Sequence, residues 1–463
     1  MDAQTQDILT VVTGAGLIVA VTAACVWLVL RSTANKIAPL ALLLFGFCLE
    51  VYFFKQPYIQ LGLQVYPNDL ISLFVLLSAM LGFAHRPVPV NDSPFLLWLG
   101  FGMTITASLV VGLNEYGRYA GTEVRPFFYM WVAGLYCCVT EFSKEELRRV
   151  ARWCVWSCYV LIGIAIYYYI AVEVGFVNRQ ALFEEPDTAV FRPVGAAGAF
   201  LVAIVALVQT MAWLRGTGTR YSGTHAAVLI AFTVVMQHRS VWIAAAVGLL
   251  CIFILERRHL PRRFALLLGF VMVGTLAVSV AGAFGLLDDL TRRLMQSTLS
   301  MTDSGGTFAA RVDGWIRLLD NWTSGSFFEL LFGFPFGQGY TRMYNGVIIE
   351  FAPHNFFLDL VLRVGLVGAI LFILPTGMAM VHGLWGKADS EFEYLMLRGL
   401  GVCLLAAFIY FIAYPSYYLI GAATGISLSH FIRQRRVRAD VRRPLDPVRS
   451  PLTGQIIGWR TER

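Results

Sequence analysis

The chain has 463 residues, of which 57% are hydrophobic and only 14% charged, against about 25% charged in ordinary globular proteins. With a mean hydropathy of +0.66 it cannot cover itself with water-compatible surface, which excludes a soluble enzyme, a disordered chain and a nucleic-acid binder. The net charge of +7 does not reopen the last class: nine arginines and three acidic residues between Arg433 and Arg463 carry +6 of it, leaving +1 for everything before.

A bilayer core of about 30 Å needs about 20 apolar residues per helix. Apolar runs that meet this fall at 8–30, 37–53, 69–84, 94–111, 126–140, 153–173, 194–214, 225–237, 240–255, 264–287, 356–381, 396–413 and 415–431. They predict an all-α polytopic membrane protein of about 12–13 transmembrane helices with one sizeable helical outer loop. The expected domains are ten transmembrane helices over 1–287, an outer loop over 288–353, further transmembrane helices over 354–431 and a basic cytoplasmic tail over 432–463. Met1 to Asp7 is acidic and lacks the basic n-region of a cleaved signal peptide, so the first run is expected to stay as a membrane helix. The pair 225–237 and 240–255 is short and should form a hairpin turning at His238-Arg239. The eight cysteines lie in apolar runs with no C-x-x-C pair, the pattern of small buried hydrophobes rather than of zinc ligands or a disulfide framework.

Lysine and arginine placement sets the orientation. The loops at 31–36, 85–93, 141–152, 215–225, 256–263 and 382–395, with the tail, hold 23 basic residues; the alternate loops hold 11. The first set is therefore expected in the cytoplasm, anchored by Lys144/Arg148/Arg149/Arg152 and Arg257/Arg258/Arg262/Arg263. The 288–353 loop then faces outward, into the periplasm where there is one.

Several outward loops carry an isolated arginine beside a membrane edge. Arg192 opens a helix in Phe-Arg-Pro-Val-Gly, Arg125 precedes Pro126 at another helix start, and Arg239 sits at the tip of the short hairpin. Guanidinium forks suit phosphate, and helix N-termini add partial positive charge. An anionic ligand at the outer surface is the economical inference. For Arg239 an unpaired charge near membrane depth would cost about 2.5–3.5 kcal/mol. In the outer loop, 306–322 reads as an amphipathic helix lying along the membrane, with Phe308, Val312, Trp315, Leu319 and Trp322 on its apolar stripe. Asp313, Arg317 and Asp320 share the opposite face at pairing distance, whereas Arg311 lies beside the stripe and is the stronger functional candidate. The run Gly333-Phe-Pro-Phe-Gly337-Gln-Gly339 permits tight turns and close backbone approach but matches no P-loop or dinucleotide fingerprint.

The sharpest feature is Pro353-His354-Asn355, which opens the helix that continues through Asp359, Arg363, Gly365 and Gly368. An imidazole with an ordinary pKa near 6.5 is largely neutral at pH 7, which suits a general base acting on a hydroxyl. Asp359 and Arg363, four apart, are expected to pair with each other within the membrane, and Gly365 and Gly368 to permit close helix packing. Among the remaining histidines only His238 is outward, beside Arg239, and it stands as a second candidate. No D-x-D pair, H-E-x-x-H or His cluster is present, so no metal or other cofactor is expected.

This constellation resembles the O-antigen ligase and O-antigen polymerase superfamily of bacterial polytopic glycosyltransferases. The resemblance covers about residues 190–380 and rests on Arg239 at a helix start, Arg311 with Trp315, the Gly333–Gly339 run, and His354-Asn355 followed by Gly365 and Gly368, with Arg192 and Gly195 a looser element. It implies metal-independent, inverting transfer of a glycan from undecaprenyl diphosphate at the periplasmic face of the bacterial inner membrane. In that reading Arg239 and Arg311 hold the diphosphate and His354 activates the acceptor hydroxyl; Arg192, Asn355, Arg125 and His238 complete the expected substrate contacts. The implied partners are the undecaprenyl-diphosphate-linked donor, a glycan or lipid A-core acceptor and membrane lipids. The acid-base pair Asp359/Arg363 is more polar than the family pattern. Ligation to a lipid A-core is the leading reading and polymerisation of O-antigen or exopolysaccharide repeats the alternative. A transporter or flippase of a lipid-linked anion is the third reading; it predicts ionisable residues at mid-membrane and paired broken helices, whereas the polar residues here crowd the outer rim.

Overall fold

The computed structural model describes residues 35–52, 58–61, 63–85, 92–176, 192–260, 307–344, 347–415, 417–442, 446–449 and 456–460. In chain order these form α1 (Ala38–Tyr52), the hairpin β1 (Ile59–Leu61) and β2 (Leu63–Val65), α2 (Pro67–His85), α3 (Ser93–Tyr116) and α4 (Arg118–Glu123). Then come α5 (Arg125–Val139), α6 (Lys144–Glu173), α7 (Ala196–Arg215), α8 (Ser222–Val235) and α9 (Arg239–Leu255). The outer loop contributes α10 (Thr307–Thr323), α11 (Phe327–Phe332) and the hairpin β3 (Arg342–Tyr344) and β4 (Val347–Ile349). The chain continues as α12 (Phe356–Trp385), α13 (Glu391–Tyr410), α14 (Leu419–Arg442) and the hairpin β5 (Asp446–Arg449) and β6 (Ile456–Arg460). Every predicted span within the described residues coincides with a helix; 8–30 and 264–287 lie outside them, as does the side chain of Phe308. The protein is an all-α polytopic membrane protein, and among the described residues five helices are individually long and apolar enough to cross a bilayer.

Boundaries moved where capping decides them. α6 begins at Lys144, in the charged stretch before its apolar run, because Ser143 and Glu146 form a reciprocal capping box. α14 runs on to Arg442, so the basic tail leaves the membrane as helix.

The basic loops gather at one end of the bundle. Lys36 donates to the Glu141 carbonyl, Arg215 pairs with Glu391 and Glu256, and Arg436 pairs with Asp92. At the opposite end, α12 starts among aromatic rings. Phe356 lies 4.4 Å from Phe411, 5.1 Å from Phe372 and 5.8 Å from Phe127, and its amide donates to the Phe411 and Tyr414 carbonyls at 2.9 and 3.1 Å. Lipid offers little apolar driving force between helices, so close packing and satisfied backbone groups must hold this end.

α12 is broken at Gly365, whose φ of 64° and ψ of −170° are non-helical. The carbonyls released by the break are recovered: Leu362 accepts from the Phe334 amide at 2.6 Å and Arg363 from the Ser108 hydroxyl at 2.9 Å. A Cβ on Gly365 would stand 2.2 Å from the Leu331 carbonyl oxygen, and one on Gly333 2.6 Å from the Arg363 carbonyl carbon. Gly333, at the head of the glycine run, thus seals the break in α12 by backbone-to-backbone contact. Gly368 lies one turn further, against Thr104 of α3. Gly365→Ala combines a forbidden contact with a left-handed φ, and should lower the melting temperature of the solubilised protein as expected for a loss above about 2 kcal/mol. Gly377→Ala, with open space around the added methyl, should leave it unchanged; equal melting of the two variants would refute the sealing role.

Candidate functional site

Pro353, His354 and Asn355 form a short device at the mouth of α12. Asn355 caps the helix, its Oδ1 accepting from the Leu358 amide at 3.0 Å. The proline fixes one side, the cap fixes the other, and His354 between them adopts a left-handed φ of 47°. Such a residue costs about 1–3 kcal/mol and persists only where its surroundings hold it. The imidazole is half-buried, 6.0 Å from the Phe351 ring, and among the described residues no side chain hydrogen-bonds it. Burial first, then the charges of Arg311 and Arg342, push its pKa below 6.5, so the ring is neutral at neutral pH.

Arg311 comes from α10. This helix is turned slightly from its predicted stripe: Trp315 and Trp322 face inward as expected, but Leu318 joins them and Leu319 is 39% exposed. The partner is protein rather than lipid, a cluster with Tyr340, Leu358 and Leu362. The indoles choose the rotation, since Trp315 donates to the Pro353 carbonyl and Trp322 to the Glu329 carbonyl. That rotation sets half-buried Arg311 toward His354 and leaves Arg317 on the outer face, paired with Asp313 at 2.8 Å. Arg342, from β3, was not singled out by the sequence. It is buried, donates to the Tyr340 and Phe351 carbonyls at 3.1 and 2.9 Å, lies 5.1 Å over the Phe351 ring and keeps an unpartnered buried Nε. No spacing in the sequence announces it, because a three-residue strand has no readable period.

The second cluster is built on the α8–α9 turn. Gln237 is left-handed at φ 58°, buried, and its Oε1 has no partner. His238 is buried and fully engaged: Nε2 donates to the Val194 carbonyl at 2.8 Å, which leaves Nδ1 to accept from the Tyr414 hydroxyl at 3.3 Å. Burial, with Arg192 nearby, brings its pKa down to about 4. Both ring nitrogens are committed, so this ring holds the turn in place. Arg239 is the first residue of α9, which lacks a side-chain N-cap, and its charged and ionisable neighbours are Arg192 and Tyr414. The Arg192 Nε is buried and unpartnered. Tyr414 joins the clusters: its hydroxyl meets His238 and its carbonyl holds the first amide of α12, two residues beyond His354. His354, Arg311, Arg342, Arg192 and Arg239 therefore share one end of the bundle, and among the described residues Arg192, Arg311 and Arg342 have no carboxylate partner.

Two expectations change. Asp359 and Arg363 do not form the predicted ion pair: Arg363 pairs with Glu123 at 2.9 Å, donates to the Gly339 and Pro335 carbonyls at 2.7 and 3.2 Å and stacks 4.1 Å over Tyr340. Asp359 accepts from the Tyr340 hydroxyl instead. The break at Gly365 brings in better partners than a helical neighbour. Arg125 is also engaged, paired with Asp69 at 2.9 Å and stacked 4.7 Å over Tyr66.

No curated protein matches the chain. Residues 225–373, which run from α8 through Arg239, Arg311, Arg342 and His354 into α12, match the family model described as O-antigen ligase, and that match supports the resemblance of this stretch to the O-antigen ligase and polymerase superfamily.

Proposed function

We propose that the protein is a metal-independent, inverting glycosyltransferase. It moves a glycan from undecaprenyl diphosphate to a sugar hydroxyl at the periplasmic face of the inner membrane, with a lipid A-core as the leading acceptor. The observation that carries this is a neutral imidazole that no side chain among the described residues hydrogen-bonds, near Arg311 and Arg342 at the same end as Arg192 and Arg239. In the reaction the acceptor oxygen forms a bond to the anomeric carbon and passes its proton to His354. The bond from that carbon to the diphosphate oxygen breaks, and the diphosphate departs with the electron pair. Arg192, Arg311 and Arg342, which among the described residues have no carboxylate partner, stabilise that departing charge together with Arg239, and the α9 N-terminus adds its partial charge. Arg342 joins the predicted set as a charge facing His354. Asn355 and His238 act here as positioning residues, one through its cap and the other through the turn. Polymerisation of repeat units uses the same chemistry; a single addition or a ladder of products separates the two.

His354→Ala should lower transfer at least about 100-fold in a reconstituted assay with a polyprenyl-diphosphate glycan, at unchanged expression and melting temperature. Full activity would remove the base. The activity of the wild-type protein should persist below pH 6.5 on the acid side, because the lowered pKa keeps His354 neutral there. Arg342→Gln removes one of the charges that disfavour the imidazolium, so the acid limb of kcat/KM should move to higher pH. An unmoved limb would separate Arg342 from the base.

A further inference from the structure

We infer that the end of the bundle opposite His354 holds an anionic phospholipid, seated with its chain in an apolar groove and its phosphate in an adjoining basic pocket. The groove, of about 260 Å³, opens between α1, α6, α7, α13 and α14 and is lined by residues such as Leu44, Val150, Ala151, Leu201, Val208 and Ala423. The pocket, of about 540 Å³, lies at the helix ends and presents Lys144, Lys387 and Arg433 with Ser143 and Gln434. Leu147, Phe392 and Met396 line both, so one amphiphile can occupy the two together.

The charge balance of the pocket favours an anion. Lys144, Lys387 and Arg433 are exposed, and among the described residues none forms an ion pair with a carboxylate. Of the two acidic residues in the wall, Glu393 is held elsewhere. It accepts from the Asp389 amide at 2.9 Å and pairs with His430, whose Nδ1 lies 3.0 Å from the His382 Nε2. That buried chain fixes Glu393 in the floor and leaves the lysines to whatever enters; Asp389 is the one remaining acid. A free phosphate would use the pocket but give no reason for the groove. A plain hydrocarbon would use the groove but give no reason for three unpaired cations. A phospholipid of the leaflet at this end answers both, with each lysine near such a headgroup contributing roughly fivefold in affinity. The donor's own diphosphate is assigned to the other end and does not compete for this pocket.

The test is native mass spectrometry of the full chain, exchanged into phosphatidylcholine nanodiscs with phosphatidylglycerol as the probe. The wild-type protein should retain one phosphatidylglycerol. Lys144→Gln/Lys387→Gln should weaken its affinity about 25-fold through the headgroup, and its retention accordingly. Ala151→Trp, which fills the groove from an exposed position, should reduce it similarly, and both variants should melt as wild type. Equal retention of phosphatidylcholine, full retention in either variant, or displacement of the lipid by excess inorganic phosphate would overturn the proposal.

Discussion

The outer end of the protein depends on one break in one helix. At Gly365 the chain leaves helical geometry inside a segment that must span lipid, and two backbone carbonyls lose their helical partners. A membrane tolerates this only where protein supplies substitutes. The substitutes are specific: the Phe334 amide, the Ser108 hydroxyl, and Gly333 lying against the break at a distance that excludes a Cβ. Arg363, 1% exposed, ties the same strand of chain to Glu123 and to the Gly339 carbonyl. A buried charge of this kind costs several kcal/mol if left alone, so its partners must stay in place. The short outer segment of α12 is thereby fixed at both ends, by Asn355 at the start and by the sealed break ten residues later.

That fixed segment is the platform for everything with chemical potential at this end. α10 packs its indoles on it, and the Trp315 contact to Pro353 fastens the loop that carries His354. The turn at Phe411 and Tyr414 closes on its first amide and, through the Tyr414 hydroxyl, reaches His238 and Arg239. The two left-handed non-glycine residues among those described, Gln237 and His354, lie in these two clusters. Strain held in place by a rigid frame is a common mark of a site whose geometry matters more than its local stability.

Much of this was legible in the sequence, and the limits have physical causes. Helices were readable because hydrocarbon demands long apolar runs, and the gathering of the basic loops at one end because lysine and arginine partition between loops. His354 and Arg311 stand out in the sequence as polar residues placed where polarity is costly, and the structure brings them close to one another. The rotation of α10 was not, because hydrophobic periodicity cannot tell lipid from protein as the partner, and the indole N–H groups chose protein. Arg342 was invisible because it lies on a three-residue strand. The Asp359/Arg363 pairing failed because helical spacing presumes a continuous helix, and Gly365, read as a packing residue, is a break. Asn355 carried a readable capping signal: an asparagine immediately before an apolar run is an N-cap by chemistry.

The electrostatic contrast within the molecule argues that the outer arginines serve a ligand. Elsewhere among the described residues, buried or half-buried arginines are satisfied internally: Arg125 by Asp69, Arg215 by Glu391 and Glu256, Arg363 by Glu123, and Arg398 by the Gly383 and Gly386 carbonyls near the end of α12. The chain has acids available and uses them. Around His354, among the described residues, it does not: Arg192 and Arg342 each keep a buried Nε without a partner, and each faces another cation or the imidazole that a second cation disfavours charging. A purely structural arginine gains nothing from such a neighbourhood, since like charges in low dielectric repel. An anion arriving between them would reverse the sign of every one of these interactions at once. In the proposed reaction, Arg311 and Arg342 would both hold the diphosphate and, with burial, disfavour charging of His354, so binding of the leaving group would prepare the base.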